Sequence, residues 1–187
     1  LKRHPLLIIL AIYFAASLTT LWSWDHYKSH PMTGDEPHYL VMAQGFLTSG
    51  SLEQSQPYAY EFNNRKIVKE GLAPKDTVPS IYNSHTFLGA HGLYNYHNLG
   101  FPLILAIPFL IAGVAGAKLI LILLGALAVM LTWKVSGVYT ADKMVRFFTT
   151  LVSSVSSVVI LGANQIYPDL LAGIFCLLGI YWFLTIH

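Results

Sequence analysis

The stretch LLIILAIYFAASLTTLWSW, residues 6–24, decides the fold class of this chain. It contains no charged residue, and nineteen residues in a helix extend about 28 Å, enough to cross the apolar core of a bilayer. Lys2 and Arg3 precede it, and Trp22 and Trp24 close it, as in a span with a cytoplasmic basic flank and an aromatic belt on the far side. The segment therefore predicts a membrane-spanning helix rather than a cleaved signal peptide, because no small-residue cleavage site follows it.

The composition of the whole chain agrees with this prediction. Of its 187 residues, 55% are hydrophobic and 11% are charged, whereas soluble domains carry about 25% charged residues. Three further apolar runs, residues 118–135, 147–163 and 170–186, predict additional spans. The expected fold class is therefore an all-α integral membrane protein with about four transmembrane helices. The net charge of +2 and the scattered basic residues argue against a nucleic-acid partner.

A fifth apolar run, residues 99–113, has a different interpretation. It extends only about 22 Å as a helix and contains Pro102 and Pro108. If it crossed the membrane, the basic link that follows residue 135 would lie outside, against the positive-inside rule. We therefore interpret residues 99–113 as a short re-entrant or juxtamembrane helix, which places both ends of the sequence on the cytoplasmic side.

Most of the polar residues lie between the first span and this re-entrant run. Residues 25–97 hold seven of the nine acidic residues and six of the eight histidines, and the orientation of the first span makes them a large extracytoplasmic loop. Within this loop, apolar residues recur at helical spacing over residues 39–47, which predicts a short juxtamembrane helix on the membrane surface. Residues 49–85 are rich in serine, proline, asparagine and charge, and are expected to form a loop.

Two adjacent carboxylates, Asp35 and Glu36, stand at the start of the surface helix. Asp35 can cap that helix while Pro37 occupies its first turn, where a missing N–H costs nothing. Paired carboxylates next to His38 can instead accept a proton or hold a divalent cation. Asp169 raises the same alternative, because it either caps the last helix or belongs to a functional site on the outer face.

Other polar residues of the outer loop are candidate binding residues. The six histidines lack compact metal-ligand spacing, so they are either scattered loop residues or a zinc site assembled from distant positions. Tyr96 and His97 lie just before the re-entrant run and are either belt aromatics or the lining of a binding site. Arg65 and Lys66 are either solvated or placed to bind a phosphate.

Three segments resemble the N-terminal part of the polytopic GT-C glycosyltransferases, in particular the protein mannosyltransferase and aminoarabinose transferase superfamily. They are TGDEPHYLVMAQGFL from residue 33, LYNYHNLGFPLILAIPFL from residue 93 and NQIYPDLLAGIF from residue 164. The first contains the Gly-Asp-Glu-Pro-x-Tyr motif that many members carry in their first outer loop. The other two follow in the same order and topology.

The resemblance implies an activity and a role for each candidate residue. The donor would be a sugar on a polyprenyl phosphate, the acceptor a lipid, glycan or protein on the outer face, and transfer would invert the anomeric centre. Asp35 would be the base, Glu36 would support it or help bind a divalent metal ion, and Asp169 would orient acceptor or donor. The leaving phosphate needs cations or hydrogen-bond donors nearby. The side chains available for this are His97, Arg65 and Lys66.

The expected setting is a bacterial inner membrane, with residues 25–97 outside the cytoplasm and the chain forming the N-terminal portion of a longer enzyme. The alternative is a catalytically inactive, GT-C-like accessory subunit, which would contact other membrane subunits as well as lipids. A transporter or metal-binding membrane module built on the histidines is a third interpretation.

Overall fold

In a computed structural model of the chain, residues 4–27, 34–64 and 85–186 are described. Most of these residues are helical. The helices are α1 (Pro5–Tyr27), α2 (Glu36–Ser49), α3 (Ser55–Asn64), α4 (Gly100–Tyr139), α5 (Lys143–Ser154), α6 (Ser157–Gly162) and α7 (Asp169–Ile186). Between α3 and α4, the strands β1 (Thr86–Gly89) and β2 (Gly92–Asn95) form an antiparallel hairpin. The fold is therefore predominantly but not wholly α-helical.

Within the described residues, three helices are long and apolar enough to cross a membrane, namely α1, α4 and α7. The helices α1 and α7 coincide with the predicted spans 6–24 and 170–186, so an apolar helix of spanning length is confirmed at both places. These helices indicate a membrane protein.

The helix α4 joins two segments that the sequence predicts as separate, the re-entrant run 99–113 and the span 118–135. It leaves helical geometry near Gly113, whose φ of 58° lies in the left-handed region that glycine adopts without steric cost. A Cβ atom at Gly116 would lie 2.0 Å from the carbonyl oxygen of Pro108, so this tight turn requires glycine. The break falls at the predicted end of the run 99–113. The re-entrant course of the first segment is not confirmed, because residues 100–139 together have the length and composition of a spanning helix.

The predicted span 147–163 consists of two short helices, α5 and α6. The break falls in the sequence SSVSS, residues 153–157, where Ser156 is extended. Its hydroxyl oxygen accepts a hydrogen bond from the N–H of Val159 at 3.4 Å. Serine side chains that bond to nearby backbone compete with helical hydrogen bonds, and the apolar composition of the run did not reveal this competition.

The described residues divide into two compact units, of which the first comprises residues 1–27 and 121–187. Its core is apolar and draws on α1, the second half of α4, and α5 to α7. The hydroxyl of Tyr13, a fully buried residue, donates a hydrogen bond to the carbonyl of Ile122 at 2.9 Å. A Cβ atom at Gly125 would lie 2.0 Å from that hydroxyl oxygen, so glycine is needed there for Tyr13 to enter the core. The main core residues are Ile9, Tyr13, Ile122, Val129, Phe147, Ile160, Ala163 and Ile174.

The second unit comprises residues 28–120, and in it α2 packs on α3. The two helices approach closely at Gly45, where a Cβ atom would lie 2.8 Å from Cγ of Pro57. The hairpin is attached to the start of α3 by two hydrogen bonds. The N–H of Gln54 donates to the carbonyl of Leu93 at 2.8 Å, and the N–H of Leu93 donates to the Glu53 carboxylate at 3.0 Å. These contacts hold α2, α3 and the hairpin together.

A helix is confirmed over the predicted residues 39–47 as α2, but its burial differs from the expectation for a helix on the membrane surface. Val41 and Met42 lie off the predicted apolar face, yet they are as buried as Leu40, which lies on it. A surface helix with one apolar stripe would expose them. The first half of α2 is therefore an interior helix of its unit.

The loop predicted over residues 49–85 is wrong for residues 55–64, which form α3. The sequence SQPYAYEFNN has no continuous apolar stripe, so hydrophobic periodicity did not reveal the helix. Its buried residues include Pro57, Tyr58 and Glu61. Their burial depends on tertiary contacts, which a local pattern does not contain.

Candidate functional site

Asp35 lies at the N-cap position of α2, but its carboxylate does not cap the helix. Its backbone carbonyl accepts hydrogen bonds from the N–H groups of His38 and Tyr39, at 3.0 and 3.3 Å. Within the described first turn, the side chain accepts no capping hydrogen bond. One carboxylate oxygen lies 3.0 Å from Nδ1 of His85 instead. The Asp35 carboxylate is therefore not a helix cap, which was one of the two explanations for this residue.

The β1–β2 hairpin brings His85 and His97 to this carboxylate. Thr86 pairs with Asn95, and the N–H of Tyr96 donates to the carbonyl of His85 at 2.9 Å. The residues just outside the two strands are therefore held side by side. Nδ1 of His85 lies 3.0 Å from Nε2 of His97, although the two residues are 12 positions apart in the sequence.

Asp35, His85 and His97 form a triad of potential metal ligands. One ligand atom from each residue lies within 4.8 Å of the others. The Asp35 oxygen is 3.0 Å from Nδ1 of His85 and 4.0 Å from Nε2 of His97. The side chains of Asp35 and His85 are 37% and 41% exposed, and that of His97 is 14% exposed. The triad is thus accessible, and it suits either a divalent cation or a carboxylate that accepts a proton.

A line of hydrogen bonds connects the hairpin to α2 beside the triad. The side-chain amide of Asn95 accepts from the N–H of His97 at 2.9 Å and donates to the hydroxyl of Tyr58 at 3.1 Å. That hydroxyl also forms a hydrogen bond with Nδ1 of His38, at 2.5 Å. The ring of His38 stacks on the ring of His85, with centroids 4.3 Å apart. The stacking restricts the ring of His85, and the bond to Asn95 restricts the backbone of His97.

Burial keeps the imidazole of His38, which lies beside the triad, neutral near pH 7. It lowers the pKa of His38 to about 4, and His85 and His97 act in the same direction, whereas Asp35 opposes the shift. The pKa of His97 is also lowered, chiefly by burial; Asp35 acts to raise it and His85 to lower it. Burial raises the pKa of Tyr58, so its hydroxyl stays protonated. Neutral histidines offer the ring lone pair that metal ions bind.

The remaining predicted site residues of the outer loop are placed differently. Glu36 is fully buried, whereas Tyr96 is 69% exposed. Arg65 and Lys66 lie outside the described residues. The predicted metal ligands were Asp35, Glu36 and His38. The described ligand atoms that converge belong to Asp35, His85 and His97.

Asp169 begins α7 in the first unit and lines a cavity of about 310 Å³. Most of the lining is apolar and comes from α4, α6 and α7, including Val129, Leu170 and Leu177. The volume is at the lower end of the range for small-molecule pockets, about 300–1,000 Å³. This acid is therefore associated with an apolar cavity as well as with the start of a helix.

Sequence reasoning missed three residues of the site, His85, Tyr58 and Asn95. A signal for the first existed in TFLGAHGLYN, residues 86–95, where two short runs with apolar residues flank Gly-Ala-His-Gly. A short connection of this kind between two such runs is typical of a β-hairpin, and a hairpin would have placed His85 beside His97. Tyr58 has no comparable signal, because α3 itself was not predicted.

No family model matches the chain, and no curated protein or solved structure matches it either. The function is therefore argued from the residues of the site and from the membrane helices.

Proposed function

We propose that this chain is the N-terminal part of a membrane glycosyltransferase that uses a polyprenyl-phosphate-linked sugar. The acceptor is a hydroxyl of a lipid, glycan or protein on the extracytoplasmic face. Asp35 takes the acceptor proton while the acceptor oxygen bonds to the anomeric carbon and the bond from that carbon to the phosphate oxygen breaks. A single displacement of this kind inverts the anomeric centre.

The position of the Asp35 carboxylate carries the proposal. A general base has to be within reach of its substrate and available to accept a proton. The carboxylate of Asp35 is not used as a helix cap, is partly exposed, and contacts His85 at 3.0 Å. A carboxylate with no structural task in its own helix, at an accessible site, is suited to acid–base chemistry.

The proposal includes a four-span topology. The helices α1 and α7 and the second half of α4 cross the membrane, and the α5–α6 pair forms the remaining span. Lys134, Lys143 and Arg146 then lie on the cytoplasmic side, in keeping with the positive-inside rule. Residues 25–97 face outward from a bacterial inner membrane, and Asp35 and Asp169 face the same compartment.

The donor requires an apolar site for its lipid chain and a polar site for its phosphate. We assign to the Asp169 carboxylate the orientation of a hydroxyl of donor or acceptor. We assign phosphate binding to His97, Arg65 and Lys66. The exposed ring of Tyr96 suits stacking on a sugar, and the buried Glu36 supports the start of α2.

The test is Asp35→Asn in the complete protein, with transfer from a polyprenyl-phosphate sugar measured in membranes. Asparagine has nearly the same size and shape as aspartate, and in the described first turn of α2 the Asp35 carboxylate makes no capping bond that could be lost, so the variant should accumulate normally. Loss of a general base predicts a fall in turnover of about a hundredfold or more.

The matched control is Asp142→Asn. The carboxylate of Asp142 accepts a hydrogen bond from the N–H of Met144 at 2.7 Å and acts as a helix cap, so its asparagine variant should keep full transfer. Near-normal turnover of Asp35→Asn would contradict the assignment of the base. A complete wild-type protein without any transfer would favour the accessory-subunit alternative.

A further inference from the structure

We infer that Asp35, His85 and His97 together bind one divalent transition-metal ion of the zinc type. This inference goes beyond the proposed glycosyl transfer, because it rests on the ligand geometry and does not require that reaction.

The distances within the triad match a metal coordination sphere. Zinc bonds to imidazole nitrogen and carboxylate oxygen are about 2.0–2.2 Å long, so neighbouring ligand atoms around a tetrahedral ion lie about 3.3–3.5 Å apart. The three separations here are 3.0, 3.0 and 4.0 Å. Small rotations of the side chains would bring all three atoms to bonding distance from one ion.

Hydrogen bonds alone explain these short distances less well than a bound cation does. Nδ1 of His85 lies 3.0 Å from both the Asp35 oxygen and Nε2 of His97. A ring nitrogen carries at most one proton, and a strong hydrogen bond needs that proton nearly in line with a single acceptor. A cation has no such restriction, because it accepts a lone pair from each of the three atoms.

The chemistry of the ligands selects the class of ion. Two imidazole nitrogens and one carboxylate oxygen are typical of catalytic zinc sites, in which a water or substrate takes the fourth position. Magnesium and calcium prefer oxygen ligands throughout. The partial exposure of Asp35 and His85 leaves room for that fourth ligand.

The surrounding contacts orient the ligands before any ion binds. The hydrogen bond from the Tyr96 N–H to the His85 carbonyl fixes the backbone beside the first histidine, and Asn95 accepts from the N–H of His97. The ring of His38 covers one face of His85. Partners of this kind commonly raise metal affinity by restricting the ligands.

The experiment is a metal titration of the protein purified from membranes in detergent and stripped with a chelator. Zinc binding is measured by elemental analysis and by competition with a chromophoric chelator, and cobalt(II) reports the ligand geometry through its visible absorption. We expect stoichiometric zinc, and no displacement of it by millimolar magnesium.

The variants His85→Ala and His97→Ala should each weaken zinc binding by about a hundredfold or more, since a direct ligand contributes at least as much as an outer-shell partner. The matched control is His91→Ala, which removes an exposed histidine from the turn of the same hairpin and should leave zinc affinity unchanged. Circular dichroism of each variant checks that the helices are retained.

A second variant, Tyr58→Phe, leaves all three ligands in place and removes a hydroxyl of the surrounding network. It should weaken zinc binding by less than the factor of about 10–100 that is typical for loss of a group bonded directly to a ligand, because this hydroxyl bonds to His38 and Asn95. Wild-type protein that binds no zinc, or zinc binding that survives in both His85→Ala and His97→Ala, would overturn the inference. Zinc binding without sugar transfer would refute only the proposed function, and sugar transfer by a wild-type protein that binds no zinc would refute only this inference.

Discussion

The two units of the chain bury different kinds of polar residue. In the described part of the first unit these are uncharged, namely Ser17, Thr150, Ser154 and Asn164. In the described part of the second unit they include the titratable residues Glu36, His38, Glu61 and Lys118. A charged side chain at the centre of a bilayer costs about 2.5–3.5 kcal/mol on insertion scales. The buried interior of the first unit is therefore of the kind suited to a membrane, whereas that of the second unit accommodates titratable side chains.

The largest expected effect is that of low pH, which should reduce the stability of the second unit more than that of the first. The pKa of His38 is about 4 in the folded protein, against an ordinary value of 6.5. As the pH falls below the ordinary value, the unfolded chain takes up a proton that the folded chain excludes. The stability that neutral His38 provides is therefore complete above that value and is lost as the pH falls towards the folded pKa. A shift of this size corresponds to about 3 kcal/mol.

Hydrogen exchange of α2 in chelator-treated protein measures this loss, at about pH 7 and about pH 5. The described part of the first unit buries no histidine, so α1 and α7 should change less than α2. His38→Gln should reduce the pH dependence in α2, whereas His91→Gln, at an exposed position, should not. Equal pH dependence in α1 and α2 would contradict the comparison.

A packing change should destabilise the first unit, and this loss of stability should not depend on pH. Gly125→Ala would place a methyl group 2.0 Å from the Tyr13 hydroxyl oxygen, which forces Tyr13 out of its bond to the Ile122 carbonyl. Overpacking of a core costs about 1–3 kcal/mol, and the melting temperature in detergent should fall accordingly.

The control for this prediction is Gly179→Ala, where a Cβ atom meets nothing within 4 Å. Alanine favours a helix over glycine by about 1 kcal/mol, so this variant should be at least as stable as the wild type. A similar loss at both glycines would mean that close packing around Tyr13 is not what stabilises the first unit.

The smallest expected effect concerns the two aspartates that precede helices. Asp142→Ala removes a cap and should destabilise the start of α5 by about 1 kcal/mol, while Asp142→Asn should restore it. Asp35→Ala should not cause that local fraying in α2, because its carboxylate makes no capping bond. Hydrogen exchange in the first turn of each helix distinguishes them, and equal fraying in both alanine variants would make Asp35 an ordinary cap.

The apolar helices could be predicted from the sequence because their signal is local. Residues 6–24 and 170–186 are apolar over a length that matches a bilayer, and no other part of the chain has to be considered to see it. The break at Gly113 coincides with the predicted end of the apolar run 99–113. The break at residues 153–157 was not predicted, because it arises inside an apolar run from bonds of serine side chains to their own backbone.

Local sequence signals also explain why only part of the site could be predicted. Asp35 stood out because an acidic pair before an amphipathic helix is unusual in so apolar a chain. Its partners His85 and His97 are far from it in sequence, and their spacing has no metal-ligand pattern. The metal ligands expected from sequence were the neighbours Glu36 and His38, but neighbours on a helix point in different directions.

By itself, the sequence determined that this chain has helices suited to a membrane and that a carboxylate stands at the start of α2. Only the tertiary structure decided what that carboxylate contacts. The register of the β1–β2 hairpin sets which histidines are adjacent, and the packing of α2, α3 and the hairpin sets which of them reach Asp35. Such long-range pairings depend on the whole unit folding together, so no local pattern of residues contains them.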